Sequence, residues 1–273
     1  MYDNEIINDF AQRCGGVATI GVLGASADEC NMLAEKIADL GLSARVLEEV
    51  ASATDVSAVI VVANADEIES LEQKILSLKN LCVPYTMLFN GDENSDNSAI
   101  VGGQFQERFG ASAVFCSFKN INLEKLEKIF QALLFEFPLI TFDVIIPDWL
   151  QFLPAESSAN AEIIEKVKVT AQKISKMKDC IAFDTMLANC NYWQGEVGVK
   201  LMLSTGVAEV CAFPKEGVFY DMISEIAGEK ITEKSSLMGY IRGASEAKRG
   251  FDKVKDAFEC AKEIGRASCR ERV

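Results

Sequence analysis

Val17-Ala18-Thr19-Ile20-Gly21-Val22-Leu23-Gly24, followed by Ala25-Ser26-Ala27-Asp28-Glu29-Cys30-Asn31, is the stretch whose reading decides the fold. Its first part is a short apolar run of strand type closed by a glycine. The second part holds the place of a phosphate loop, G-x-x-x-x-G-K-[ST]. In such a loop glycines let backbone N–H groups approach the phosphates, the lysine neutralises them and the hydroxyl holds Mg²⁺. Gly24 keeps the first position, but Glu29, Cys30 and Asn31 stand where Gly, Lys and Ser/Thr belong. Asp28 and Glu29 put two carboxylates where a polyanion would dock, so the turn repels what a phosphate loop attracts. Gly21 and Gly24 are therefore read only as the turn of a vestigial loop.

Outward from this turn, strands and helices alternate. Met32, Leu33, Ile37 and Leu40 recur at helical spacing between Asp28 and Leu40, with Gly41 as the stop. Ala44 to Val50 reads as an edge strand, and Ser57 to Ala63 is apolar enough for a strand buried on both faces. Asp66 is expected to cap a helix running to Asn80. Then come a strand from Pro84 to Asn90, a helix over 102–109, a strand from Ala111 to Cys116 and an amphipathic helix from Asn122 to Phe135. The alternation predicts a mostly parallel sheet with helices on both faces, an α/β fold of P-loop NTPase-like, specifically GTPase-like, order.

Two strand ends support that order, Asn90-Gly91-Asp92 and Cys116-Ser117-Phe118-Lys119, which fall where guanine-nucleotide proteins hold the base. Against hydrolysis, the interval from Gly41 to Ser57 is too short for two switch loops and contains no D-x-x-G to sense Mg²⁺ and a γ-phosphate. Phosphoryl transfer depends on positioning and charge neutralisation, and the residues for both are missing.

Composition shifts at Phe137-Pro138. We divide the chain into residues 1–137, a degenerate NTPase-like domain, 138–262, a smaller α+β domain, and 263–273. In the second, Leu139 to Ile146 reads as a strand turned by Pro147-Asp148-Trp149, and Glu162 to Asp179 as an amphipathic helix. Glu196 to Leu203 and Gly206 to Phe213 flank Ser204-Thr205 as a tight hairpin. Gly217 to Ala227 and Glu233 to Cys260 read as helices, and Trp149 and Trp193 as core or interface anchors. The tail from Glu263 to Val273 breaks the composition and reads as a translated sequencing adapter. The natural chain is then expected to continue differently beyond residue 262.

Bulk properties narrow the function. A net charge of −14 disfavours nucleic acid and anionic lipid as direct partners. The chain has no histidine, and its 9 cysteines form no C-x-x-C pair, so metal-site and triad chemistry lack their commonest ligand and base. No apolar run reaches the ~18 residues of a membrane span, and the acidic start lacks the layout of a signal peptide, so a cytoplasmic protein is expected.

Several segments are similar to the stage IV sporulation protein A family, the ATPase of the basal layer of the bacterial spore coat. Leu134-Phe135-Glu136-Phe137-Pro138-Leu139 and Ile146-Pro147-Asp148-Trp149 resemble its L-Y-E-F-P-V and L-P-S-W segments. Arg13-Cys14-Gly15-Gly16, Gly21-Val22-Leu23-Gly24-Ala25, Gly206-Val207-Ala208-Glu209-Val210 and Phe251-Asp252-Lys253-Val254-Lys255-Asp256-Ala257 follow in family order. The resemblance implies ATP and Mg²⁺ as family cofactors, with hydrolysis driving polymerisation at the forespore membrane, which a short amphipathic peptide marks. This chain departs at Ser26 to Asn31 and lacks the switch segment, so no catalytic residue, cofactor or metal is carried over. The expected role is a non-hydrolysing scaffold or co-assembly subunit in coat morphogenesis, in the mother cell at the forespore surface. Its partners would be coat morphogenetic proteins, an intact paralogue or itself, with only indirect membrane contact. A divergent ATPase, or a small-ligand pocket at the strand ends, are the alternatives.

Overall fold

A computed structural model describes residues 4–92, 95–153 and 157–270 of the chain. The side chains of Lys119 and of the tail from residue 263 lie outside that description. By its internal contacts the chain divides between Phe213 and Pro214.

The larger unit opens with a helix that the sequence reading did not anticipate, α1 (Glu5–Arg13), whose first turn is capped by the Asn4 side chain. Then follow β1 (Thr19–Gly24), α2 (Ala27–Asp39), β2 (Ser43–Val46), β3 (Ala58–Ala63) and α3 (Ile68–Asn80). The run is completed by β4 (Tyr85–Asn90), α4 (Asp96–Phe109), β5 (Ala113–Cys116) and α5 (Leu123–Phe135). All five strands are parallel, in the order β2-β1-β3-β4-β5, with β2 at the edge as anticipated.

Alternation along β3 shows why the sheet is buried on both faces. Ala58, Ile60 and Val62 pack with α1, α2 and α5, whereas Val59, Val61 and Ala63 pack with α3 and α4. Burying a side chain of this size is worth ~1.5–3 kcal/mol, and the apolar sequence leaves no polar face to solvate. On one side Phe10 tilts against Phe130 at 5.1 Å; on the other Phe89 stacks on Phe115 at 5.1 Å and meets Phe105 edge-on at 5.7 Å.

A second sheet, of order β6-β8-β7, is built from β6 (Thr141–Ile145), β7 (Gly198–Met202) and β8 (Val207–Cys211). β6 runs parallel and β7 antiparallel to β8, so this sheet is mixed. Trp193 is fully buried beside it and donates its indole N–H to the Ala159 carbonyl at 3.1 Å, which makes it a core anchor; Trp149 is half-buried.

Three local expectations are corrected. The cap before α3 is Asn64, in a capping box with Glu67, and Asp66 lies inside the first turn; Glu67 reaches back to the Asn64 N–H at 2.8 Å, which Asp66 is not placed to do. The helix expected over 162–179 is α6 (Ser158–Ala171), and a separate 3-10 segment occupies 177–185. Asp179 forces the break, because its carboxylate caps the Ser175 and Lys176 N–H groups and starts the new segment. The hairpin turn is longer than Ser204-Thr205, with the Thr205 and Gly206 N–H groups both donating to the Met202 carbonyl.

The smaller unit consists of α7 (Val218–Ala227), which ends on Gly228 in the left-handed region at φ 66°, and α8 (Lys234–Arg270). Ser224 stitches α7 to the following turn through the backbone of Ile231.

Candidate functional site

The carboxyl ends of β1, β3, β4 and β5 meet at one rim, and the chain leaves in opposite directions from β1 and β3. That reversal is the position at which open α/β sheets bind ligands. A cleft of about 450 Å³ opens here, lined by Asp28, Glu29, Met32, Asn90, Ser117 and Phe118.

The β1–α2 turn is only two residues long. α2 already begins at Ala27, with Ser26 capping the Glu29 N–H at 3.5 Å, so Glu29, Cys30 and Asn31 lie within helix. In a phosphate loop the four residues after the first glycine wrap the ligand before the helix begins, whereas here Ala27 and Asp28 are already helical. Cys30, at the lysine position, faces the core with Leu33 and Ile37 and is 2% exposed. Burial pushes its thiol up to about 11. The positive end of the α2 dipole is met by Asp28 and Glu29 from the helix itself.

Gly21, inside β1, and Gly24, at its end, are both explained by packing. A methyl on Gly24 would lie 2.7 Å from both the Cys30 sulfur and the Val62 carbonyl oxygen, and one on Gly21 would lie 2.6 Å from Leu47. Close approach inside the sheet demands them, whatever binds outside it.

Asn90 uses both ends of its amide internally. Its Oδ1 accepts from the Phe118 N–H at 3.4 Å, and its Nδ2 donates to Asn64 Oδ1 at 3.2 Å. Asn64 in turn donates to Glu67 at 3.1 Å. Burial, and then the Glu67 charge, raise the Glu29 carboxyl above its ordinary value. The rim is thus an acidic, internally bonded surface. Among the described residues, no cluster of three His, Cys, Asp or Glu side chains is placed to hold a metal ion, and no helix is long and apolar enough to cross a membrane.

A second constellation lies away from the cleft, at the joint between the two sheets. Arg13, the last residue of α1, donates to the carbonyls of Thr205 (2.9 Å) and Pro138, with its guanidinium 5.7 Å from the Phe137 ring centre. Beside it Glu136, 1% exposed, accepts from Lys176 and Lys178 at 2.7 Å each and from the Ser112 N–H and hydroxyl at 2.6 and 2.7 Å. Burial alone would raise its carboxyl, but these charged and neutral donors outweigh it and hold the group below its ordinary value. The sequence reading did not single out this joint. The signal was present in Phe135-Glu136-Phe137: one acid inside an apolar run requires buried cationic partners.

Gly206 completes the joint. It sits at φ +72°, and a methyl there would fall 2.1 Å from Arg13 Nη1. Gly206→Ala is expected to destabilise the protein by about 2–3 kcal/mol, from left-handed strain and displacement of Arg13. Urea denaturation reads the loss; an unchanged midpoint would mean that Arg13 does not hold the hairpin.

Together these features define a class: a doubly wound parallel domain with a closed, acidic first turn, braced against a small mixed sheet. Comparison with known proteins names the family. The family model described as stage IV sporulation protein A, middle domain, matches residues 139–270. Stage IV sporulation protein A of Clostridioides difficile is 24% identical over 71% of this chain and 40% of its own length. The Bacillus subtilis protein is 22% identical over 75% and 42%, and that of Bacillus anthracis 21% over 73% and 41%. These matches support the stage IV sporulation protein A family, from whose curated members the chain has diverged. It spans about two fifths of the length of these curated relatives. No solved structure matches it.

Proposed function

We propose that this chain is a non-hydrolysing scaffold or co-assembly subunit in endospore coat morphogenesis, built on a P-loop NTPase-like domain whose motor chemistry is gone. The observation that carries the reading is the start of α2 at Ala27, which turns the lysine position into buried Cys30. A triphosphate approaching this turn would meet Asp28 and Glu29 with no cation of the turn to offset them.

The strand order is compatible with a GTPase-like sheet without its switch strand, and equally with other doubly wound folds. Similarity to proteins named for sporulation supplies the process. Work at the forespore surface, reached through protein partners, belongs to the same reading, as does the division of the chain at residues 137, 262 and 263.

Calorimetric titration of the purified chain with ATP or GTP and Mg²⁺, up to about millimolar nucleotide, is expected to give no saturable heat. Saturable, Mg²⁺-dependent binding would favour the divergent ATPase. A metabolite retained in a native mass spectrum and lost in Asn90→Leu would favour the third reading, a small-ligand cleft, which the volume at the rim supports.

A further inference from the structure

We infer that α8 pairs with α8 of a second copy of this chain as a parallel, two-stranded coiled coil. This stands whether or not the first sheet binds nucleotide.

From Leu237 to Ala261 apolar residues recur at alternating steps of three and four. Leu237, Ala244, Phe251 and Phe258 occupy one heptad position, a; Tyr240, Ala247, Val254 and Ala261 occupy the other, d. Every core position over this stretch is apolar. A strict seven-residue repeat is the pattern of a helix that wraps around another, whereas a helix resting on a globular core shows a broader stripe of period 3.6. All residues over 241–262 are exposed, Phe251 at 58%, Val254 at 44% and Phe258 at 66%. A monomer in water would leave this line of aromatic and aliphatic side chains wet.

The flanks identify the occupant. After Ser236 at g and Ile241 at e in the first heptad, position e carries Lys248, Lys255 and Lys262, and position g carries Gly243, Gly250 and Ala257. In a parallel pair each g residue faces the e residue five positions further along the partner. Gly243 then meets Lys248, Gly250 meets Lys255 and Ala257 meets Lys262, so each small residue leaves room for a lysine stem whose ammonium stays in water. No like charges face each other. An antiparallel pair would instead set the lysine flanks against one another. The seam is self-complementary, as a two-fold interface requires. The four phenylalanines of a dimer, with more than half of ~150–250 Å² each still exposed, supply about 40% of the ~1,200 Å² typical of a small specific interface.

The test is sedimentation equilibrium on the full chain. A dimer with Kd on the order of micromolar or tighter is expected. Phe251→Glu with Phe258→Glu should weaken it at least ~100-fold by removing four rings from the seam. Because both side chains are exposed, circular dichroism and the unfolding midpoint should stay unchanged. Ala247→Cys, in a chain whose Cys82, Cys260 and Cys269 are serine, should oxidise to a disulfide-linked dimer, since parallel d positions face each other. A wild-type monomer at about 100 µM, or a dimer that survives both glutamates, would overturn the proposal. A dimer that fails to cross-link at position 247 would overturn the parallel register.

Discussion

Cys30→Lys, which sets a lysine where a phosphate loop would carry one, is expected to cost the fold at least about 4 kcal/mol and to create no nucleotide site. The position lies on the inner face of α2, among Ile20, Val22, Leu33 and Ile37. Its sulfur already fills the space above Gly24. An ammonium in such surroundings shifts by ~3–5 pKa units, and each unit is ~1.4 kcal/mol. Lys74, whose charge already reaches Cys30, adds repulsion. Urea denaturation measures the loss, and calorimetry with ATP and Mg²⁺ checks the site. A variant of wild-type stability that binds ATP would mean that the start of α2 yields to a phosphate, and the scaffold reading would fall.

Glu136→Gln is expected to lower stability at neutral pH by about 3 kcal/mol, the low end for breaking a buried ion pair, because Lys176 and Lys178 keep some contact with water. The amide preserves volume and leaves two ammonium groups without a counter-charge. The pH dependence follows from the depressed carboxyl. Its contribution is fully present above the ordinary glutamate value of ~4.3 and is lost as pH falls through the lower, folded value. The gap between wild type and variant should therefore be widest near neutrality and close in acid. Equal midpoints at pH 7, or a gap that widens on acidification, would contradict the brace assigned to Glu136.

The parallel sheet was legible because β3 is an unbroken apolar run and β4 is interrupted only by Thr86 before its closing Asn90, and the helix ends because Asn122 and Gly41 punctuate the pattern. α1 was not, although Ile7, Phe10 and Ala11 mark one face. A nine-residue helix offers too few turns for its period to stand out, and its capping Asn4 sits beside the chain start. The cleft could be placed from strand ends alone, although Gly21 and Gly24 are not among the residues that line it. The start of α2 was legible to within one residue, Asp28 in the sequence against Ala27 in the structure. What could not be read was that Cys30 turns inward, its sulfur packed over Gly24. Of the joint, Glu136 alone left a local sign; Arg13, Lys176 and Gly206 are brought in by tertiary structure and share no local period with it.

That joint also sets an order of events on the ribosome. Phe10 waits for Phe130 and Phe137, and Arg13 for Pro138 and Thr205. At ~5–20 residues per second, the leading segment therefore spends on the order of ten seconds without its docking surface. Too short to persist alone as a helix, it emerges as open chain and locks only after the second sheet has been synthesised. Helix α1 is thus a late latch, closed by residues made long after it.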